Sequence, residues 1–329
     1  MPGCKWGPGL TCTYDSVITS LFYAYQQIKQ THRRQQYEGK TIISKIFEQF
    51  NTISPTFTNT SQLLTQIRDT TIRTVTQGRP NTMRMDVSNF TNVEDLLLVI
   101  FADDINKPEL EEIGKKIVII EICESTSNTP TDMGTIVTLR NSRLPNFMIQ
   151  DRDTTRQMPE DIQNWINTVN TRETEYGGYL PTPLQTQCIC QIHHKKRIIF
   201  PRAPPILWIG LPYGEKCDIN YLITITEGDI NEIGQRKKIE EKTYRLCALI
   251  FLSEQNVHYY SILYYDNRKF LHDGRLNNGD LKYTNDAQVD FTSNAIYESK
   301  TEDYDTKKAI SAIYILTKSD QQNLGTNSD

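Results

Sequence analysis

The chain has 329 residues, 37% of them hydrophobic, with 36 Lys and Arg against 40 Asp and Glu. That length suffices for one large domain or two modest ones without disulfide or metal staples, and a formal net charge of -4 lacks the cationic excess that a phosphate backbone demands, so no nucleic-acid partner is expected. The longest apolar run, Leu96 to Ala102, is far short of the roughly 20 residues of a membrane-spanning helix, and Met1-Pro2-Gly3-Cys4-Lys5-Trp6 lacks the apolar stretch of a secretory signal; a cytoplasmic or nuclear protein with no membrane partner is expected.

Taken in chain order, the first periodic segment starts just after Cys12. There Tyr14, Val17, Ile18, Leu21, Phe22 and Tyr25 recur at the spacing that lays an apolar stripe on a helix. A second amphipathic stretch runs from Thr41 to Phe50 and a third covers Ser61 to Arg73, with Thr- and Asn-rich loops at Asn51 to Ser61 and Thr76 to Met83. Val93 to Phe101 suits a buried helix, capped by Asn92 and carrying Glu94 and Asp95 in its first turn.

The pattern then changes to short β-branched and aromatic runs bounded by Gly, Pro and Asn. These are Ile117 to Ile122, Ile136 to Leu139, Phe147 to Gln150, Ile206 to Leu211, Tyr221 to Ile225, Tyr244 to Leu252, Tyr259 to Tyr265 and Ile313 to Leu316. One helix, Pro159 to Val169, interrupts them, and the basic runs Lys195 to Arg197 and Arg236 to Lys238 read as solvated faces. A helical first third followed by strands describes an α+β protein.

Seven cysteines without framework spacing are, in a reducing compartment, buried, metal-bound or catalytic thiols. Cys12 differs from the rest: it follows Gly7-Pro8-Gly9, precedes an amphipathic helix and lies outside the apolar stripe. A helix N-terminus favours a thiolate, so a lowered thiol pKa is expected there. A nucleophilic thiol needs an imidazole partner, and among five histidines His258 is best placed, at the opening of the strand His258-Tyr259-Tyr260-Ser261-Ile262. Asp273, fifteen residues on, suits a hairpin return beside it, with Asp266-Asn267 as the turn. His32 and His272 read as surface residues.

Cys12-Thr13-Tyr14-Asp15-Ser16-Val17-Ile18-Thr19-Ser20-Leu21-Phe22 resembles the cysteine box of the ubiquitin-specific proteases, and its Asp-Ser form, with the run Val93 to Phe101, looks closest to the cylindromatosis-type branch. Ala203 to Leu211 resembles the strand that opens that family's palm sheet, Tyr244 to Ile250 followed by His258-Tyr259-Tyr260 its histidine box, and Ala312 to Leu316 its closing strand. The boxes stand in the family's order across residues 12 to 316.

The resemblance implies a papain-like fold with a helical thumb (1-125), an antiparallel palm sheet and reduced fingers (126-318), and a polar tail (319-329), all one catalytic domain. It implies a thiol-dependent deubiquitinase acting at the C-terminal glycine of ubiquitin or a ubiquitin-like protein, with Cys12 as nucleophile, His258 as base, Asp273 orienting it, and Glu94 and Asp95 attracting the Arg-containing ubiquitin tail. The family's fingers often hold zinc through two CxxC pairs. This chain offers only Cys188, Cys190, His193 and His194 at irregular spacing, so no cofactor is expected and a structural zinc is the alternative.

The sequence departs from the family at the Asn that precedes the nucleophile by five or six residues, where Gly7 and Trp6 stand. It departs again at Val257, where Gly precedes the histidine, and at Phe270, where Trp precedes the acid. These departures leave two other readings: a catalytically silent scaffold of the same fold that binds ubiquitin, and a papain-like endopeptidase on another substrate.

Overall fold

The structure, a computed structural model, describes residues 1–7, 9–28, 42–54, 59–76, 92–101, 118–123, 135–137, 146–148, 161–164, 166, 194–199, 205–211, 219–230, 236–253, 258–284, 294–295, 298–301 and 304–317. Helices come first: α1 (Cys12–Ile28), α2 (Ile42–Phe50), α3 (Thr60–Thr76) and α4 (Val93–Phe101). The strands follow as β1 (Val118–Cys123), β2 (Thr135–Val137), β3 (Asn146–Met148), β4 (His194–Ile199), β5 (Ile206–Gly210), β6 (Ile219–Asn220), β7 (Leu222–Ile230), β8 (Arg236–Ser253), β9 (His258–Tyr265), β10 (Arg268–His272), β11 (Lys282–Tyr283), β12 (Asn294–Ala295), β13 (Glu298–Thr301) and β14 (Tyr304–Leu316). Within the expected helix Pro159 to Val169, residues 162–164 and 166 are helical, and Ile162 and Ile166 are buried.

The main sheet runs β11-β10-β9-β8-β14-β5-β3, with β7 also on β8 and β13 also on β14. It is antiparallel, as expected of the palm, with one parallel pair at its edge between β3 and β5, Phe147 opposite Ile209. A parallel pair needs a long crossover, and the chain between β3 and β5 includes β4, which pairs with β1 in a separate three-stranded sheet.

Both faces of the main sheet are buried. Ile206, Trp208, Cys247, Ile250, Tyr259, Leu263, Ile313 and Ile315 share one core with all four helices, while Leu207, Ile209, Leu246, Leu249, Tyr260, Ile262, Ala312 and Tyr314 pack into a second core with Ile162 and Ile166. This double burial is why these strands read as unbroken apolar runs rather than alternating ones. α1 lies inside the first core, every residue buried except Gln27. A helix apolar or tightly packed all round is a central one, and this one fixes Cys12 relative to the sheet.

Candidate active site

Three elements bring the expected residues together. Cys12 is the first residue of α1, His258 the first of β9, and Asp273 follows the last residue of β10. Thr11 is the N-cap of α1, its carbonyl accepting the Asp15 N–H at 2.8 Å. β9 and β10 are joined by Asp266-Asn267, the expected turn, with φ of 51° and 55°. Two positive φ values in a two-residue hairpin loop mark a type I′ turn, which Asp and Asn tolerate. The ladder ends at His272 opposite Ser261, so Asp273 is a diagonal neighbour of His258 across the pair.

The His258 Nε2 is 2.9 Å from Asp273 Oδ1, and both side chains are fully shielded from solvent. Asp273 Oδ1 also accepts the Arg275 N–H at 2.9 Å, and the Arg275 guanidinium is 3.6 Å from Oδ2. A carboxylate that receives donors in this way accepts the imidazole proton too, which puts hydrogen on Nε2 and leaves a lone pair on Nδ1. That Nδ1 is buried and has no partner among the described residues.

The Cys12 sulfur accepts backbone N–H groups from Tyr259, next to His258, and from Thr13. Burial nonetheless pushes the thiol pKa up, outweighing those two donors and Arg275, which lower it, and joined by the charge of Asp15, which raises it. The expected lowering by the helix terminus is thus corrected: the thiol of a buried residue, Cys12 being 1% exposed, gains less from partial charges at the helix start than it loses in hydration. The resting group is a neutral thiol, which requires a base. The other described free thiols, Cys4 and Cys247, are also raised by burial, Cys247 to about 12.

A buried ion pair holds the segment before the nucleophile. The Arg68 guanidinium bonds Asp15 Oδ1 at 2.5 Å and the Lys5 carbonyl at 2.5 Å, and Thr11 donates to Asp15 Oδ2 at 2.9 Å. Asp15 raises the pKa of Arg68, while burial pushes the Asp15 carboxyl up against the opposing pull of Arg68 and Thr11. Two glycines make room: a Cβ on Gly7 would lie 2.6 Å from the Arg68 guanidinium, and one on Gly274 would lie 2.9 Å from Asp15 Oδ2 and 3.2 Å from the Trp6 nitrogen. Sequence reasoning missed Arg68. Its signal was there, since Arg68 stands on the stripe Leu64, Ile67, Thr71 and Val75 that α3 buries, and a buried cation demands a buried anion. Arg275 carried no such signal.

His272 is not at the surface as expected. It is wholly buried, its Nε2 3.0 Å from the Cys4 carbonyl, and Nδ1 has no partner among the described residues. The N-terminal segment around Gly3 and Cys4, distant in sequence, packs against it. Burial lowers its pKa to about 4, against the opposing effects of the Cys4 carbonyl and Asp273, with His258 lowering it further. An unfolded chain protonates this ring near its ordinary 6.5, so the stabilisation is complete above that pH and is lost as pH falls toward 4. Between pH 7 and pH 5 the ring's contribution should shrink by about 2 kcal/mol. Urea unfolding at the two pH values should show that loss in the wild type and a correspondingly smaller one in His272→Gln, which keeps an amide donor for Cys4; equal losses would refute it.

Glu94 and Asp95 lie in the first turn of α4, whose Leu96 N–H bonds the Asn92 carbonyl at 3.1 Å; their side chains fall outside the described residues. Cys188, Cys190 and His193 fall outside them as well, and His194 opens β4 opposite Cys123. Among the described residues no group of three or more His, Cys, Asp or Glu gathers to hold a metal, and no helix is long and apolar enough to cross a membrane.

No family profile matches the sequence, and no curated protein matches it. Solved structures do. The chain is similar to the SAGA DUB module of Ubp8, Sgf11, Sus1 and Sgf73 bound to monoubiquitin, with a TM-score of 0.50 and 11% identity over 97% of this chain and 69% of that one. It is similar to the same module bound to ubiquitin aldehyde, again with a TM-score of 0.50 and 11% identity, over 97% of this chain and 70% of the other. The fold is therefore that of the ubiquitin-specific protease structures, a mixed helix and antiparallel-sheet architecture.

Proposed function

We propose that the chain is a thiol-dependent deubiquitinase that hydrolyses the isopeptide bond at the C-terminal glycine of ubiquitin or a ubiquitin-like protein, with residues 1 to 329 forming one catalytic domain. The observation that carries this reading is the buried imidazole of His258, tied through Nε2 to Asp273 at 2.9 Å and left with an unpartnered Nδ1 beside a strand whose next N–H reaches the Cys12 sulfur, in a fold shared with ubiquitin-bound structures.

In this reading the Cys12 sulfur attacks the glycine carbonyl carbon while its proton passes to His258 Nδ1, and the carbonyl electron pair moves onto oxygen. Collapse of that adduct breaks the carbon–nitrogen bond, and His258 returns the proton to the leaving Lys amine. Water then attacks the thioester carbon, giving a proton to His258; the carbon–sulfur bond breaks, His258 passes that proton to the Cys12 sulfur, and the released carboxylic acid gives its own proton to solvent. Asp273 keeps the imidazole in its Nε2–H tautomer throughout. The neutral resting thiol makes His258 indispensable, because no thiolate stands ready.

Glu94 and Asp95, at the first turn of α4, are proposed to attract the basic tail of ubiquitin. The Asp-Ser form of the cysteine box supports placement near the cylindromatosis-type branch, and a zinc at Cys188, Cys190, His193 and His194 remains the alternative to a metal-free finger region. A second reading, a silent ubiquitin-binding scaffold, is favoured by one observation: Cys12, His258 and Asp273 are each no more than 2% exposed. A ubiquitin probe bearing a thiol-reactive group at its C-terminus separates the two. The enzyme forms a covalent adduct that Cys12→Ala abolishes, whereas the scaffold binds without an adduct.

A further inference from the structure

An attack on a carbonyl places negative charge on its oxygen, and that charge needs hydrogen-bond donors already aimed at it. The backbone N–H groups of residues 4–7, in the segment preceding the nucleophile, are all engaged elsewhere. The Cys4 N–H is bonded to Thr19 Oγ1 at 3.0 Å, Lys5 N–H to Thr65 Oγ1 at 3.1 Å, Trp6 N–H to the Gly274 carbonyl at 2.8 Å and Gly7 N–H to Thr11 Oγ1 at 3.1 Å. Pro8 has no N–H. Beside the imidazole this segment also places a side-chain donor, the indole of Trp6. Its ring centroid is 5.3 Å from that of His258 at an interplanar angle of 45°, and the ring is only partly buried. The indole N–H has no acceptor among the described residues.

One residue links the ring to the acid. The Arg275 guanidinium carbon lies 5.7 Å from the ring centroid, within the range of a cation–π contact, and the same Arg275 donates its backbone N–H to Asp273. Trp6 is thereby tied to both members of the His258–Asp273 pair, on a segment pinned by the Arg68 and Gly274 contacts. A purely apolar shield over the imidazole needs a ring but no donor, so the two roles make different predictions for a ring that lacks nitrogen.

We infer that Trp6 is a further catalytic residue, its indole N–H donating to the oxyanion formed when Cys12 adds to the substrate carbonyl, with the first N–H of α1 as the second donor. This rests on the deubiquitinase reading above and gives its carbonyl site a specific chemistry.

Trp6→Phe keeps an aromatic side chain but removes the donor together with the five-membered ring, so the capture assay below serves as the control for lost packing. Its kcat on ubiquitin carrying a fluorogenic C-terminal amide should fall by about a hundred- to a thousandfold with KM unchanged, and its affinity for ubiquitin aldehyde, whose adduct carries an oxygen at the same place, should fall by a similar factor. Its rate of capture by ubiquitin propargylamide, which joins sulfur to an alkyne and forms no oxyanion, should stay within about threefold of the wild-type rate. An unchanged kcat in Trp6→Phe overturns the inference and leaves Trp6 a shield. Equal losses in all three assays also overturn it, because a misplaced Cys12 or His258 would slow capture as well. A wild-type protein inert to all three reagents overturns the deubiquitinase reading, and the donor role falls with it.

Discussion

Replacing His258 with Ala should lower kcat on a ubiquitin C-terminal amide by about four to six orders of magnitude, because a nucleophile and its base act as a unit and removing either removes nearly all their joint effect. The size of this loss follows from the state of the thiol. Burial raises the pKa of Cys12, so near neutral pH little thiolate exists to react unaided. In a site with a preformed thiolate, a base variant would retain a larger residual rate. Asp273→Asn should cost about four orders of magnitude, since an amide in place of Oδ1 can present N–H to Nε2 and reverse the tautomer. Single-turnover kinetics with enzyme in excess would read both losses directly. A His258→Ala variant within tenfold of the wild type would mean that another group takes the proton.

The second large effect is on stability. Arg68→Met should destabilise the protein by about 3 to 5 kcal/mol, because Asp15, its carboxyl already raised to about 7 by burial, then loses its counter-charge and must take up a proton or stand unpaired in a site where both side chains are no more than 2% exposed. It also releases the Lys5 carbonyl and opens the space against which Gly7 packs. The double variant Asp15→Asn with Arg68→Met should recover part of the loss, since no buried charge then lacks a counter-charge. Urea unfolding midpoints at constant m-value test this, and a single-variant loss below about 1 kcal/mol would mean the pair does not hold the segment. The same ion pair that stabilises the fold thus holds residues 4–7, the segment the candidate site leans on.

Much of this arrangement was legible in the sequence because it is local. The apolar stripe from Tyr14 to Tyr25 set α1, the Asp266-Asn267 pair set the hairpin, and the β-branched runs set the strands of the palm. Strands rich in charged residues were not legible. β4 reads His-Lys-Lys-Arg-Ile-Ile and the first half of β8 is mostly charged; β4 pairs with β1, and β8 between Arg236 and Thr243 with β7, through backbone bonds that leave no hydrophobic alternation to read. Buried polar contacts between distant segments were equally hidden. His272 is covered by a carbonyl 268 residues away in the chain, and Asp15 meets Arg68 across 53 residues. In the site itself, residue types and spacing selected Cys12, His258 and Asp273, but the direction of the thiol's pKa depended on burial, which the helix-terminus argument ignores.

The most direct measurement is intact-mass and peptide mapping after incubation with ubiquitin propargylamide. A single adduct carried by the peptide containing Cys12, absent from Cys12→Ala and slowed by several orders of magnitude in His258→Ala, is the expected result. An adduct on Cys4 or Cys247, or one that persists in Cys12→Ala, would contradict the assignment of the nucleophile, and tight binding of ubiquitin with no adduct at all would favour the silent scaffold.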